Sequence, residues 1–265
     1  VEVVRRNARY VPAYGEGSLY IRPSLKGVEG GAAVVPANRV VFTLETFPFG
    51  EFFGGPEHGI KVEALLDTAR PDSGASKVGA NYGTIFGVRM GVKQRGYQDY
   101  LSFDRNSFVE ELSTCSVFFV EALREGGVRL VTPMVQADAE NNGDSKRAAD
   151  IKVLDSITRR SIIELAGALN IPVEIRDIEY HEISGFAGAF SVGTAAGLTR
   201  ISRIDVKDSA EGRVCHVADY DQLEDSPAKS VINTLYDVLM RARVTELDQA
   251  LHERFLSWVT KVSAE

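Results

Sequence analysis

The stretch S-G-A-S-K-V-G-A-N-Y-G, residues 73–83, sets a single lysine, Lys77, among small residues, with glycine at 74, 79 and 83 and Asn81 and Tyr82 just beyond. Small residues let a backbone or a ligand come close. A lysine in such a run either carries its charge to solvent, as most lysines do, or is held there for chemistry. Its amine becomes a nucleophile when it loses its proton, and the main use of such an amine is a Schiff base with a carbonyl. Taken alone, the stretch favours the solvated lysine. The remainder of the chain has to decide.

The chain has 265 residues, enough for one large domain or two small ones with a sizeable core. Hydrophobic residues make up 44% and charged residues 25%, an ordinary globular balance. A net charge of -7 gives no basic footprint for nucleic acid or an anionic membrane surface. No apolar run approaches the roughly 20 residues that cross a bilayer. Two cysteines, Cys115 and Cys215, are too few for a disulfide scaffold and fit free thiols in a reducing compartment. Their spacing with the four histidines matches no metal signature, although Cys215 and His216 are adjacent, and no metal is expected.

Alternating or continuous apolar β-rich runs predict strands at 18–21, 39–47, 61–65, 100–104, 116–122, 128–131, 173–178, 189–192 and 199–204. Helical periodicity covers 84–96 and 156–169, and two C-terminal helices are expected at 227–243, opened by Ser226-Pro227, and at about 246–262. Strands mixed with helices predict an α/β or α+β fold with a mixed sheet. Residues 136–150, Q-A-D-A-E-N-N-G-D-S-K-R-A-A-D, hold almost no large apolar side chain and are expected to form a mobile surface loop.

A lysine Schiff base is used most often with pyridoxal phosphate (PLP), and PLP needs further parts that can be sought independently. Its phosphate needs backbone N–H groups, best supplied at a helix N-terminus. L-D-S-I-T-R-R-S-I-I-E-L, 154–165, offers a turn followed by an amphipathic helix, though Asp and Ser cap ordinary helices too. S-V-G-T-A-A-G, 191–197, is a second candidate and equally a tight turn. It lacks the Gly-Lys-Ser/Thr ending of a nucleotide phosphate loop. The PLP ring nitrogen needs a carboxylate partner. F-V-E-E-L-S-T-C-S-V-F-F, 108–119, places Glu110 and Glu111 just before a strongly apolar strand. An acid at a buried strand edge belongs there only if paired, whereas in a turn it is simply solvated.

In their order, S-L-Y-I-R-P (18–23), K-V-G-A-N-Y-G (77–83), E-L-S-T-C-S-V-F (111–118), L-D-S-I-T-R (154–159) and S-V-G-T-A-A (191–196) resemble the branched-chain amino acid aminotransferases, PLP enzymes of fold type IV. L-Y-D-V-L (235–239) is similar to that family's C-terminal helix, so the resemblance runs from about residue 15 to 239. It implies the large domain of fold type IV, a barrel-like mixed sheet flanked by helices. Residues 1–14 would be the remnant of a small N-terminal domain and 15–265 the PLP-binding domain. Lys77 corresponds to the lysine that holds PLP and carries the proton between the substrate α-carbon and the cofactor. Glu111 matches the acid on the ring nitrogen, leaving Glu110 as its solvated neighbour, and Tyr82 the tyrosine beside the phenolic oxygen. Ile157 and Thr158 match the phosphate turn. Thr194 and Ala195 match the turn that meets the phosphate and the substrate carboxylate. Tyr20 and Arg22 match residues of the substrate side-chain pocket.

The implied activity is transfer of an amino group from a hydrophobic, branched-chain-like L-amino acid to 2-oxoglutarate, by a homodimer. A cytoplasmic location is expected, or a mitochondrial one if a further N-terminal segment exists. The departures are specific. Ala80 replaces a glycine before Asn-Tyr, and Asp155-Ser156 replace Pro-Gly in the phosphate turn, which is expected to reshape it and to put a negative charge near a phosphate. S-V-G-T-A replaces the family's G-S-G-T-A, and the small domain that supplies an arginine to the phosphate is expected to be missing. The alternative function is therefore a degenerate homologue that keeps the fold as a binding or assembly protein.

Overall fold

The chain folds as two units, Val1–Phe52 with Ser257–Glu265, and Phe53–Leu256. The computed structural model describes residues 1–13, 16–32, 34–50, 52–53, 59–207, 214–221, 226–243, 247, 249–258, 260 and 262. The domain boundary expected between residues 14 and 15 lies outside the described residues, as do the side chains of Cys215 and His216.

In the first unit, α1 (Glu2–Arg6) carries Glu2 one turn ahead of Arg5 and Arg6, and both arginines bond to it. Such i,i+3 and i,i+4 pairs steady a short helix. Strands β1 (Ser18–Gly27) and β2 (Val40–Phe49) pair antiparallel, with Ser18 opposite Phe49 and Gly27 opposite Val40. The Tyr20 ring stacks on Phe47 at 5.1 Å, and the Arg22 guanidinium lies 5.4 Å and 5.2 Å from the Tyr20 and Phe47 ring centres.

The second unit is built from β3 (Ile60–Leu65), α2 (Gly79–Gln94), β4 (Asp99–Phe103), β5 (Val109–Leu112), β6 (Ser116–Ala122), β7 (Val128–Thr132), α3 (Gln136–Asn141), α4 (Ser145–Asp150), α5 (Ile157–Ala168), β8 (Val173–Ile175), β9 (Gly188–Gly193), β10 (Gly197–Lys207), β11 (Val214–Asp219), α6 (Pro227–Arg243) and α7 (Gln249–Phe255). Among the described residues, nine strands form one sheet in the order β5-β4-β3-β10-β9-β6-β7-β8, with β11 also on β10. β3 runs parallel to β4 and β10, and β7 to β8, while the other neighbours are antiparallel. The expected mixed sheet with flanking helices is present, curled into a half-barrel.

The run S-V-F-F-V of β6 explains where the core sits. Val117 and Phe119 enter one apolar cluster with Leu101, Leu112 and Ile201, and Phe118 and Val120 enter a second with residues of α5 and α6. A strand covered on both faces reads as a continuous apolar run. Phe118 stacks on Phe190 at 5.1 Å and Phe119 on Phe186 at 4.7 Å. On the helix side, Ile162 and Leu165 of α5 and Ile232, Leu235 and Leu239 of α6 recur at helical spacing and are all buried. Each such side chain contributes about 1.5–3 kcal/mol on burial.

The segment 136–150 is not the loop its composition predicts. It forms α3 and α4, which pack through Ala139 and Ala148 against Val135, Ile151 and Val153. Alanine is the best helix former and fills a thin layer without bulk, so the larger side chains of this core come from just outside the segment, at Val135, Ile151 and Val153. The Asp138 carboxylate accepts the Val135 N–H at 2.9 Å and Asp144 accepts the Arg147 N–H at 2.9 Å, which starts each helix. Two strands, β5 and β11, escaped the sequence reading, and α2 begins at Gly79, five residues earlier than periodicity places it.

Candidate active site

The segment 66–78 carries Lys77 from the end of β3 to the start of α2. Its turns are tight: the Gly74 N–H reaches the Pro71 carbonyl at 2.7 Å and the Ser76 N–H the Ser73 carbonyl at 2.9 Å. A Cβ on Gly74 would come within 2.5 Å of the Lys152 carbonyl oxygen, so only glycine fits there. At Ala80, by contrast, the helix has already begun, and its missing glycine leaves no visible strain.

Lys77 and Tyr82 open onto one cleft together with Glu111, Arg70, Asn81, Ser113, Thr114 and Leu154. Three of the residues singled out from sequence therefore converge. The convergence depends on an irregularity in β5. Leu101 pairs with Leu112 and Phe103 with Val109, so Glu110 and Glu111 together stand opposite Ser102 alone. This is a β-bulge, a device that re-aims side chains. The Ser102 hydroxyl donates to the Glu111 carbonyl at 2.9 Å.

Both acids then meet Arg70. Its guanidinium lies 2.7 Å from Glu111 Oε1 and donates to the Ser113 carbonyl at 3.0 Å, while its backbone N–H donates to Glu110 Oε2 at 2.7 Å. Glu111 and Glu110 are each only 3% exposed. Glu110 was expected to be the solvated neighbour and is not: the bulge tucks both carboxyls beneath the Arg70 segment. Burial pushes the Glu111 carboxyl up to about 7, against the attraction of Arg70, the Leu154 N–H and Lys77. Burial likewise raises Glu110, with the Arg70 N–H opposing it. Cys115, beside the cleft residue Thr114, is a free buried thiol that burial pushes up to about 12, so it is unreactive.

Ile157 and Thr158 form the first turn of α5, three and four residues beyond the cleft residue Leu154. Ser156 caps the helix by accepting the Arg159 N–H at 3.4 Å. Its φ of -76° and ψ of 131° are open to any L-residue, so serine sits at this position without backbone strain. Asp155 is turned to Arg160, which also lowers its pKa, so its charge is engaged by a cation. Thr194 and Ala195 lie in the turn between β9 and β10. That turn passes close to Cys115 and Thr114, since a Cβ on Gly193 would meet Cys115 Sγ at 3.1 Å and the Thr114 carbonyl oxygen at 3.8 Å. The turn ends at Gly197 with φ +63°, where glycine is favoured. Neither Ile157–Thr158 nor Thr194–Ala195 lines the cleft itself. Tyr20 and Arg22 belong to the other unit, on β1. Sequence reasoning missed Arg70 and gave Asn81 no role. The only local signal for Arg70 is its place seven residues before Lys77.

Comparison with known proteins agrees with this architecture. The sequence profile of amino-transferase class IV matches residues 2–204. A mitochondrial branched-chain-amino-acid aminotransferase of Arabidopsis thaliana is 32% identical over 213 residues, covering 78% of this chain and 50% of that protein. A mitochondrial branched-chain amino acid aminotransferase of Humulus lupulus is 34% identical over 203 residues, covering 75% and 47%. The chain thus spans about half the length of these relatives. Among solved structures, the branched-chain aminotransferase of Thermoproteus uzoniensis with norvaline superposes with a TM-score of 0.70 at 23% identity, over 98% of this chain and 73% of that one. The T.th. branched-chain amino acid aminotransferase complexed with N-(5'-phosphopyridoxyl)-L-glutamate gives 0.69 at 23%, over 99% and 72%. With a profile matched across three quarters of its length and a fold shared with these structures, the chain belongs to the class IV aminotransferase family.

Proposed function

We propose that the protein is a PLP-dependent aminotransferase that moves an amino group between a branched-chain-like L-amino acid and 2-oxoglutarate. The observation that carries this is the meeting of Lys77, Tyr82 and Glu111 in one cleft. The donor set suits PLP. Lys77 offers a primary amine, Glu111 a buried carboxyl that exchanges its proton near neutral pH, and Tyr82 a phenol. The N–H groups of Ile157 and Thr158 at the start of α5 suit a phosphate, and Asp155 does not oppose it because Arg160 holds it. Bound there, PLP supplies an electron sink that acidifies the Cα–H of an amino acid. Lys77 Nζ then takes that proton and returns it. Glu111, steadied by Arg70, would face the pyridine nitrogen as a carboxylate and keep the proton on that nitrogen. Thr194 and Ala195 serve the phosphate and the substrate carboxylate. The complex of the T.th. relative with a phosphopyridoxyl-glutamate supports glutamate and 2-oxoglutarate as one substrate pair. We further propose a homodimer, as the resemblance implies.

The test is borohydride trapping after mixing the protein with PLP. A PLP mass on Lys77, absent in Lys77→Ala, together with amino transfer from leucine to 2-oxoglutarate, is the expected result. No adduct in the unaltered protein would refute the assignment and favour the non-catalytic reading.

A further inference from the structure

We propose that Asn81 is a positioning residue for Lys77, fastening the turn before the lysine to the helix after it. The claim rests on the role proposed above for Lys77. Asn81 sits in the first turn of α2, four residues past Lys77, and is 4% exposed. Both N–H donors and the oxygen of its carboxamide are engaged. Oδ1 accepts from the Ser73 hydroxyl at 2.5 Å, and Nδ2 donates to the Ser73 carbonyl at 2.9 Å and the Ser76 carbonyl at 2.9 Å. The Ser76 carbonyl also takes the Val78 N–H at 3.0 Å, so both of its lone pairs are filled by donors that follow Lys77 in the chain. The far end of this turn is itself fixed, because Gly74 is wedged against the Lys152 and Pro71 carbonyls. Lys77 is thereby held between a bonded turn and a helix start, and its long side chain swings from a fixed Cα.

Asparagine satisfies this set where aspartate and alanine do not. The first turn of a helix favours Asp or Glu, yet an aspartate here would turn an acceptor toward two carbonyl oxygens and lose both donors. Alanine would leave both carbonyls without this partner.

The experiment compares unaltered protein, Asn81→Asp and Ser73→Ala by two readouts. The first is amide hydrogen exchange over 74–78 in cofactor-free protein. The second is the maximal rate of borohydride-trapped PLP addition to Lys77, taken at saturating PLP so that a change in PLP affinity alone leaves it unmoved. In Asn81→Asp, exchange over 74–78 should quicken by about tenfold or more, from the loss of two hydrogen bonds, with β6 exchange unchanged, and the maximal trapping rate should fall about tenfold. Ser73→Ala, which keeps both donors, should shift each by about threefold to fivefold. Unchanged exchange, or quicker exchange with an unchanged trapping rate, overturns the proposal. Should Asn81→Asp fail to fold, Ser73→Ala decides by the same two criteria. If the unaltered protein traps no PLP, the functional assignment fails, and Asn81 as a clamp stands or falls on exchange alone.

Discussion

Replacing Glu111 by Gln isolates the cost of burying one charge in the cleft. The Glu111 carboxyl titrates at about 7 in the fold, against 4.5 for the unperturbed group, chiefly because it is buried. A folded-state value above the unfolded one means that the native protein binds the proton more tightly. Between these two values the native state holds more protons than the unfolded state, so stability falls as pH rises. A displacement of that size corresponds to roughly 3 kcal/mol. By the linkage relation, most of this develops between pH 5 and pH 8. Glu111→Gln removes the titration. It also leaves Arg70 facing a neutral amide, a penalty independent of pH over this range because the guanidinium stays charged. The assay is urea unfolding of both proteins without cofactor at pH 5, 6, 7 and 8. The stability of the unaltered protein minus that of the variant should decrease by about 2–3 kcal/mol from pH 5 to pH 8. A difference that is flat to within about 0.5 kcal/mol, or that grows with pH, would refute the claim that burial outweighs the Arg70 pair.

Two further perturbations follow from the same packing. Arg70→Met strips Glu111 of its cation while leaving the Arg70 N–H bond to Glu110 intact; unfolding stability should drop by about 3–5 kcal/mol at pH 8, and less at pH 5, where Glu111 is neutral. Arg159 is 2% exposed and donates to the Pro133 carbonyl at 3.0 Å and to Asp138 Oδ2 at 2.9 Å, tying α5 to the start of α3; Arg159→Leu should cost about 3 kcal/mol in chemical denaturation and speed hydrogen exchange in α3.

Much of this molecule is written in local pattern. The apolar run 116–120 declares a strand buried on both faces, and the spacing of Ile162, Leu165 and Ile232, Leu235, Leu239 declares helices that pack on it. Ser226-Pro227 marks the start of α6 to the residue. The quoted stretch around Lys77 and its collinear companions carry the family resemblance, because the residues that suit a flat phosphorylated cofactor are of unusual types at fixed places. Where local pattern misled, the deciding contacts lie far apart in sequence. The helices at 136–150 depend on alanines meeting Ile151 and Val153, and composition alone cannot see a core that thin. The fate of Glu110 depends on a bulge that exists only once β4 and β5 pair, and on Arg70, forty residues away, arriving to bind both acids. Local pattern sufficed for most of the strands and helices, for the mixed sheet and for singling out Lys77 as the candidate nucleophile. Tertiary structure alone decided which groups surround that lysine and how its partner acid titrates, since burial and pairing are properties of chain segments brought together by folding.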